Sequence, residues 1–257
     1  AARPPVPPAV AVVQAMPQLE TPEPTVTLPG YGAAAIGAAE GDEVFASRGL
    51  DEVRPIASIT KVVTALVVLD AHPIEGDGPG QTITLTAADS RLPARYRAIN
   101  GTTAPAPAGA TITQRQVIEL MMVHSANNYA ETLATWAFGS VDAYLVAARA
   151  WLDARALDGV SIADTTGFSP LNTASPRALL ELARLALADP VVSSAAALPS
   201  VTVPRIGTFE NRNLILGIDG VTGLKTGTLR VAGSCLLFSA REVVDGEEID
   251  VVGVVLA

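Results

Sequence analysis

Ser58 and Lys61 stand three residues apart in the stretch ASITKVVTALVVLD, residues 57–70. On a helix, that spacing puts both side chains on one face within a single turn. A serine hydroxyl is a poor nucleophile until something removes its proton. A lysine can remove it where burial or nearby positive charge lowers the amine's pKa. Arginine cannot, because its guanidinium stays protonated at any usable pH. The chain carries 17 Lys and Arg residues, of which only Lys61 and Lys225 are lysines, so a lysine here marks a need for an amine that can lose its proton. Taken alone the pattern is weak. A chain of average composition and this length holds about one Ser-x-x-Lys by chance, and a snorkelling lysine on an amphipathic helix would look the same.

Two further groupings change the balance. His124-Ser125-Ala126-Asn127 places a Ser-x-Asn at a helix-to-helix junction, and Lys225-Thr226-Gly227-Thr228 holds the other lysine in the β-rich last third. Ser-x-x-Lys, Ser-x-Asn and Lys-Thr-Gly, in that order, are the shared signature of penicillin-binding proteins and class A β-lactamases. The surrounding segments ASITKVVTAL, HSANNYAETLA, TGFSPLNTASPRALLELA, FENRNLIL and GVTGLKTGTLRVAGSCLLFSA strengthen the match. From about Tyr31 onward the chain resembles the low-molecular-mass penicillin-binding proteins, specifically the serine-type D-Ala-D-Ala carboxypeptidases of the DacA-like group.

That resemblance implies a role for each matched residue. Ser58 attacks the carbonyl of the penultimate D-Ala and becomes acylated, with Lys61 as general base. Ser125 relays a proton toward the leaving amine. Asn127 bonds the substrate amide and helps to hold Lys61. Lys225 supports Ser125 and attracts the terminal carboxylate, which Thr226 and Thr228 bind through their hydroxyls. Gly227 lets the strand come close to the substrate. The N–H groups of Ser58 and Thr228 form the oxyanion hole, worth about 3 kcal/mol per donor in other enzymes. The implied substrate is a peptidoglycan stem peptide, with β-lactams as covalent inhibitors and no metal or cofactor. The implied setting is extracytoplasmic and bacterial, with membrane association through segments outside this sequence. Departures from the family are an Ala126 where it has glycine, a mild change expected to adjust loop shape more than chemistry, and, at the C-terminus, no following β-domain and an ending on VVGVVLA where it adds a helix, which lead us to expect a trimmed chain.

Rival chemistries have less support. A Ser-His-Asp hydrolase would have to use His72 or His124, and there is no Gly-x-Ser-x-Gly elbow; His124 reads instead as a helix-terminal packing residue. A zinc peptidase lacks His-Glu-x-x-His and has too few ligands. A class A β-lactamase needs a deacylating glutamate, and the local counterpart, Phe168-Ser169-Pro170-Leu171-Asn172, has Phe in its place. A non-catalytic muropeptide or β-lactam sensor would be free to lose one of the site residues, and all are present.

The elements that must position these residues follow from pattern. Residues 1–30 are a Pro-rich extended arm, and 31–257 form one domain. YGAAAIGAAEGDEVFASRG reads as two strands turning at Glu40-Gly41-Asp42. The 57–70 stretch, TITQRQVIELMMVH capped by Thr113 with Gln116, NNYAETLATWAF, SVDAYLVAARAWLDARAL and a helix opened by Ser175-Pro176 supply helices. In the fourth of these, Val141, Leu145, Ala148 and Leu152 define the apolar face. Three strands close the chain. Strands at both ends and helices between them predict an α/β (α+β) fold, an antiparallel sheet flanked by helices plus an all-helical block over about 70–200, with the site between them.

Composition favours a packed globular protein over a disordered one: 49% AVILMFWYC, 17% charged and a net charge of −9. With no Lys/Arg cluster, nucleic acid is not an expected partner. Cys235 is the lone cysteine and reads as a small buried residue. Trp136 and Trp151 read as core, Arg230 as a solvated turn residue, and Asp164–Gly167 (DTTG) as either a site-edge loop or an ordinary turn. The sequence opens AARPPVPPAV without a basic-then-apolar leader, and no apolar run approaches a membrane span.

Overall fold

The computed structural model describes residues 26–244 and 246–257. The expected 1–30 arm therefore lies almost wholly outside the described residues. In chain order the elements are β1 (Ala33–Ala38), β2 (Val44–Arg48), β3 (Arg54–Pro55), α1 (Thr60–Ala71), β4 (Thr82–Thr84), α2 (Leu92–Arg97), β5 (Thr111–Thr113), α3 (Gln114–Val123), α4 (Asn127–Phe138) and α5 (Val141–Asp153). They continue with β6 (Val160–Ser161), β7 (Thr173–Ala174), α6 (Pro176–Ala188), α7 (Pro190–Ala197), β8 (Ser200–Val203), β9 (Gly207–Glu210), β10 (Val221–Leu229), β11 (Gly233–Val244) and β12 (Glu247–Leu256).

The main sheet is antiparallel in the order β10-β11-β12-β1-β2. The two ends of the described chain meet in it, since Ala33 pairs with Leu256 and Ala38 with Val251. Strand periodicity points alternate residues inward, so Leu237, Val252, Val254 and Leu256 are fully buried. Helix α6 packs across β12, β1 and β11, and α7 packs on β10. This is the expected architecture of antiparallel sheet, flanking helices and helical block.

Helix α1 is the centre of that block. Every residue from Thr60 to Leu69 is buried, so it is apolar on all sides instead of amphipathic. Its β-branched valines are mediocre helix formers, and tertiary packing holds the helix. Lys61 is carried into this dry environment by the helix that bears it. Helix α3 begins with the expected capping box: Gln116 N–H donates to Thr113 Oγ1 at 3.2 Å and Thr113 N–H to Gln116 Oε1 at 3.1 Å. In α5 the inward stripe is Tyr144, Ala148, Trp151 and Leu152. Val141 and Leu145 are only partly buried, so the apolar face is rotated from the expected one. The Tyr144 hydroxyl meets Thr64 Oγ1 of α1 at 2.9 Å, and the buried phenol thus finds a polar partner.

The short pieces β3, β6 and β7 form a small sheet of their own. Asn172, at the mouth of β7, accepts from Ala163 N–H at 2.8 Å and donates to Ser169 O at 3.0 Å. Together they fix the 163–172 loop, which reaches the site.

Candidate active site

Ser58 sits on a single 3₁₀ turn, Ala57–Ile59, that runs straight into α1. The turn is forced into place by a left-handed residue, Ala57 at φ 47°. Asn100 (φ 60°) and Ser125 (φ 62°) are also left-handed non-glycines, and both line the same cavity as Ser58. Such backbone costs about 1–3 kcal/mol per residue and persists where the surroundings over-determine it.

Beneath Ser58, the Lys61 amine is wholly buried. Its Nζ donates to Ser58 Oγ at 3.0 Å, Asn127 Oδ1 at 2.7 Å and Thr166 O at 2.6 Å. Asn127 is the first residue of α4, and its own N–H is tied to Thr102 O at 2.8 Å. Burial and then the Lys225 charge push the Lys61 pKa well below the usual lysine value, while Asp164 works against that shift. The amine is therefore biased toward the neutral form that can accept a proton.

Above these groups lies a cavity of about 240 Å³ lined by Ser58, Asn100, Thr102, Ser125, Arg212, Thr226, Gly227 and Thr228. A smaller adjoining cavity of about 60 Å³ adds Asn127, Gly167, Phe168 and Leu229. Ser58, Ser125, Asn127, Thr226, Gly227 and Thr228 thus converge from α1's entry turn, the α3–α4 junction and β10. Ala126, at φ −64° and ψ 110°, occupies ordinary extended backbone. The left-handed turn of this junction falls on Ser125, which is why a Cβ is tolerated where glycine was expected.

Lys225 is placed differently. It is 1% exposed, lies behind the cavity wall, and donates to Thr226 O at 2.9 Å. Burial and then the Arg212 charge lower its pKa to about 7. Gly227 is expected to allow a close approach to the substrate; the close approach the structure shows is to the Ser58 turn, where a Cβ would meet Ser58 N at 3.0 Å and Ala57 Cβ at 3.1 Å. Strand β10 is thereby pressed against the serine's own backbone.

Three contributors were not singled out from the sequence. Arg212 is exposed, lines the cavity, and is set there by its N–H bond to Val123 O at 3.1 Å. Its neighbours hold it: Asn211 Nδ2 donates to Leu198 O at 2.8 Å and Asn213 Nδ2 to Gly223 O at 3.4 Å. The FENRNLIL segment, with one arginine between two asparagines, was the available signal. Asn128 pins the 100–106 loop by paired bonds to the Ala104 N–H and C=O, each 3.1 Å. The third is the Thr166 carbonyl on Lys61, which resolves the DTTG stretch as a wall of the site. His124 caps the end of α3 and packs against Phe209, with ring centroids 4.5 Å apart and planes tilted by 43°. Burial and Arg212 depress its pKa. Cys235 is buried, and burial raises its thiol to about 11.

The profile of the S11 peptidases, described as D-alanyl-D-alanine carboxypeptidase, matches residues 31–257. The chain belongs to this family. A D-alanyl-D-alanine endopeptidase of Pseudomonas aeruginosa is 29% identical over 80% of this chain. The chain covers 66% of that relative's length. Among solved structures, the Streptomyces K15 DD-transpeptidase superposes with a TM-score of 0.78 at 24% identity, over 90% of this chain and 92% of that one. A D-alanyl-D-alanine carboxypeptidase of Mycobacterium tuberculosis gives 0.76 at 23%, over 92% and 86%. These likenesses establish the penicillin-binding-protein fold for this member of the S11 family. No helix among the described residues is long and apolar enough to cross a membrane.

Proposed function

We propose that the protein is a serine-type D-Ala-D-Ala carboxypeptidase that removes the terminal D-Ala of peptidoglycan stem peptides outside the cytoplasmic membrane. The observation that carries this reading is the set of three partners around Lys61 Nζ. A neutral amine has two hydrogens and one lone pair. Asn127 Oδ1 and Thr166 O are carbonyl oxygens that can only accept, so they take the two hydrogens. The lone pair is left for Ser58 Oγ, the one neighbour with a hydrogen to give. The hydroxyl proton passes to Lys61 as Oγ bonds to the substrate carbonyl carbon, and Ser58 N–H and Thr228 N–H receive the developing oxyanion. Ser125 relays the proton taken up by Lys61 to the departing D-Ala nitrogen, so that both residues return to their starting protonation states. Water then releases the shortened peptide.

Carboxylate recognition falls to Thr226 and Thr228 with the Arg212 guanidinium, which is the accessible cation of the cavity, whereas Lys225 acts from behind it. β-Lactams enter the same sequence and stall as adducts. Neither cavity's lining includes a carboxylate. The carboxylate of the adjoining loop, Asp164, has its oxygens occupied by four donors. Among the described residues no carboxylate is therefore placed to activate a deacylating water against a penicilloyl adduct, as a class A β-lactamase requires, which separates this reading from a β-lactamase.

The likeness to the Pseudomonas D-alanyl-D-alanine endopeptidase favours a second reading, an endopeptidase that cleaves D-Ala linked to the side-chain amine of a neighbouring stem. One experiment compares a diacyl-Lys-D-Ala-D-Ala tripeptide, a cross-linked muropeptide dimer and a fluorescent penicillin. Free D-Ala from the tripeptide with a long-lived penicillin adduct supports the carboxypeptidase. Monomer release from the dimer without free D-Ala supports the endopeptidase. An adduct with neither product would reduce the protein to a sensor.

A further inference from the structure

Asp164 opens the DTTG stretch, and no step above uses it. Its Oδ1 accepts from Thr166 N–H at 2.6 Å, Thr166 Oγ1 at 3.0 Å and Gly167 N–H at 2.7 Å, while Oδ2 accepts from Ser169 N–H at 2.6 Å. Four donors converging on one carboxylate give a tight, charge-assisted turn. The turn aims two successive carbonyls at α1: Thr165 O accepts from Thr64 Oγ1 at 2.8 Å, and Thr166 O accepts from Lys61 Nζ at 2.6 Å. The following Gly167, at φ 85°, lies so close to the nucleophile turn that a Cβ would sit 1.8 Å from Ala57 O.

We propose that Asp164 is a positioning residue for the proton transfer from Ser58: its carboxylate folds the 164–169 loop so that the Thr166 carbonyl takes one Lys61 hydrogen and the amine's lone pair is left facing Ser58 Oγ. The inference rests on the acyl-enzyme reading above, since acylation is what it would control. Without that carbonyl, a neutral Lys61 could turn a hydrogen toward Ser58 and present its lone pair elsewhere. The catalytic hydrogen bond would then run the wrong way. The charged groups around Lys61 are Lys225 from β10 and Asp164 from this loop. Helix α4 contributes the Asn127 amide, and α5 contributes the buried Tyr144 phenol by way of Thr64. Asp164 therefore has a second, electrostatic effect of opposite sense, holding the amine's pKa up.

The test is the pH dependence of the second-order rate constant for Ser58 acylation by a fluorescent penicillin, with circular dichroism melting as the fold control. Asp164→Asn keeps the shape but turns an NH₂ toward the loop's N–H donors. It should lower the plateau about 100-fold, the scale of a reacting group displaced by about 1 Å, and move the ascending limb to lower pH. Asp164→Glu, which keeps the charge but displaces it, should lower the plateau and leave the limb in place. Should the asparagine variant not fold, Asp164→Ser carries the same expectation as a second neutral replacement. A folded neutral variant with a wild-type plateau would overturn the proposal. So would one whose rate falls only in step with its melting temperature while the limb stays put. Wild-type protein that forms no adduct would overturn this role and the underlying reading together, whereas a normal wild type beside an indifferent variant overturns the role of Asp164 alone.

Discussion

Two lysines serve one cavity, from opposite walls. Lys61 on α1 is gripped by three oxygen partners supplied by α4, the Ser58 turn and the DTTG loop. Lys225 on β10 touches the carbonyl of its own strand neighbour. Both are almost completely buried and both have depressed pKa values, so burial alone does not distinguish them. The partners do. A base needs its lone pair fixed in direction, and three partners in fixed positions accomplish that. An electrostatic support needs only its charge near the place where anions gather, and in the proposed mechanism the buried Lys225 amine beside Thr226 supplies it. On the proposed mechanism the helical wall supplies direction and the strand wall field.

The largest expected break of this comparison is on the helical wall. Lys61→Arg keeps a positive charge but supplies no base, and D-Ala release should fall by about 10²–10⁴, the usual value of a positioned general base. Lys61→Met, close in size and free of a buried guanidinium, should lose as much with little loss of fold. Wild-type-like turnover by either would dismantle the assignment.

Next comes Gly167→Ala, which crowds the same wall without removing any functional group. A methyl 1.8 Å from Ala57 O, on a backbone at φ 85°, should cost about 1–3 kcal/mol of stability, read as a lower midpoint in urea, and slow acylation as the loop retreats. Unchanged acylation would show that the loop does not brace the nucleophile turn.

On the strand wall, Arg212→Ala should raise KM for the tripeptide about 10-fold to 100-fold with kcat nearly kept. That is the loss of a charge-assisted bond made equally in ground and transition states. A fall confined to kcat would place Arg212 in the chemistry and not in binding.

A smaller effect concerns stability against pH. Lys225 has a folded pKa of about 7, below its ordinary 10.5. Between those values the unfolded chain binds more protons than the folded one, so this lysine makes stability rise with pH from about 7 upward. Lys61 contributes in the same sense. Lys225→Met should flatten the rise in melting temperature between pH 7 and 9, and an unaltered slope would deny that Lys225 is buried as described.

The sequence displayed most of the reactive groups, because side-chain chemistry is written in residue type. Ser58, Lys61, Ser125, Asn127 and the Lys225–Thr228 run could be named from their motifs; helix spacing linked only Ser58 to Lys61, and the grouping of the rest followed from the family resemblance. The Thr166 carbonyl could not be read this way, since every residue has one and only the fold aims it. Asp164 was visible, but DTTG is equally suitable for a plain turn until its four donors are seen. Arg212 was one of fifteen arginines, and its asparagine anchors act through backbone groups that the sequence leaves unplaced. The rotated face of α5 has a similar cause: Tyr144 looks amphipathic in sequence, and only the Thr64 hydroxyl across the interface makes its burial favourable.

The central claim is that a neutral Lys61 takes the proton of Ser58, and the acylation rate of wild-type protein followed from pH 5 to pH 10 tests it most directly. The account predicts a rising limb well below 10.5 that moves to higher pH in Lys225→Met, where a neighbouring positive charge has been removed. A rate still climbing through pH 10, or a limb indifferent to Lys225, would contradict it.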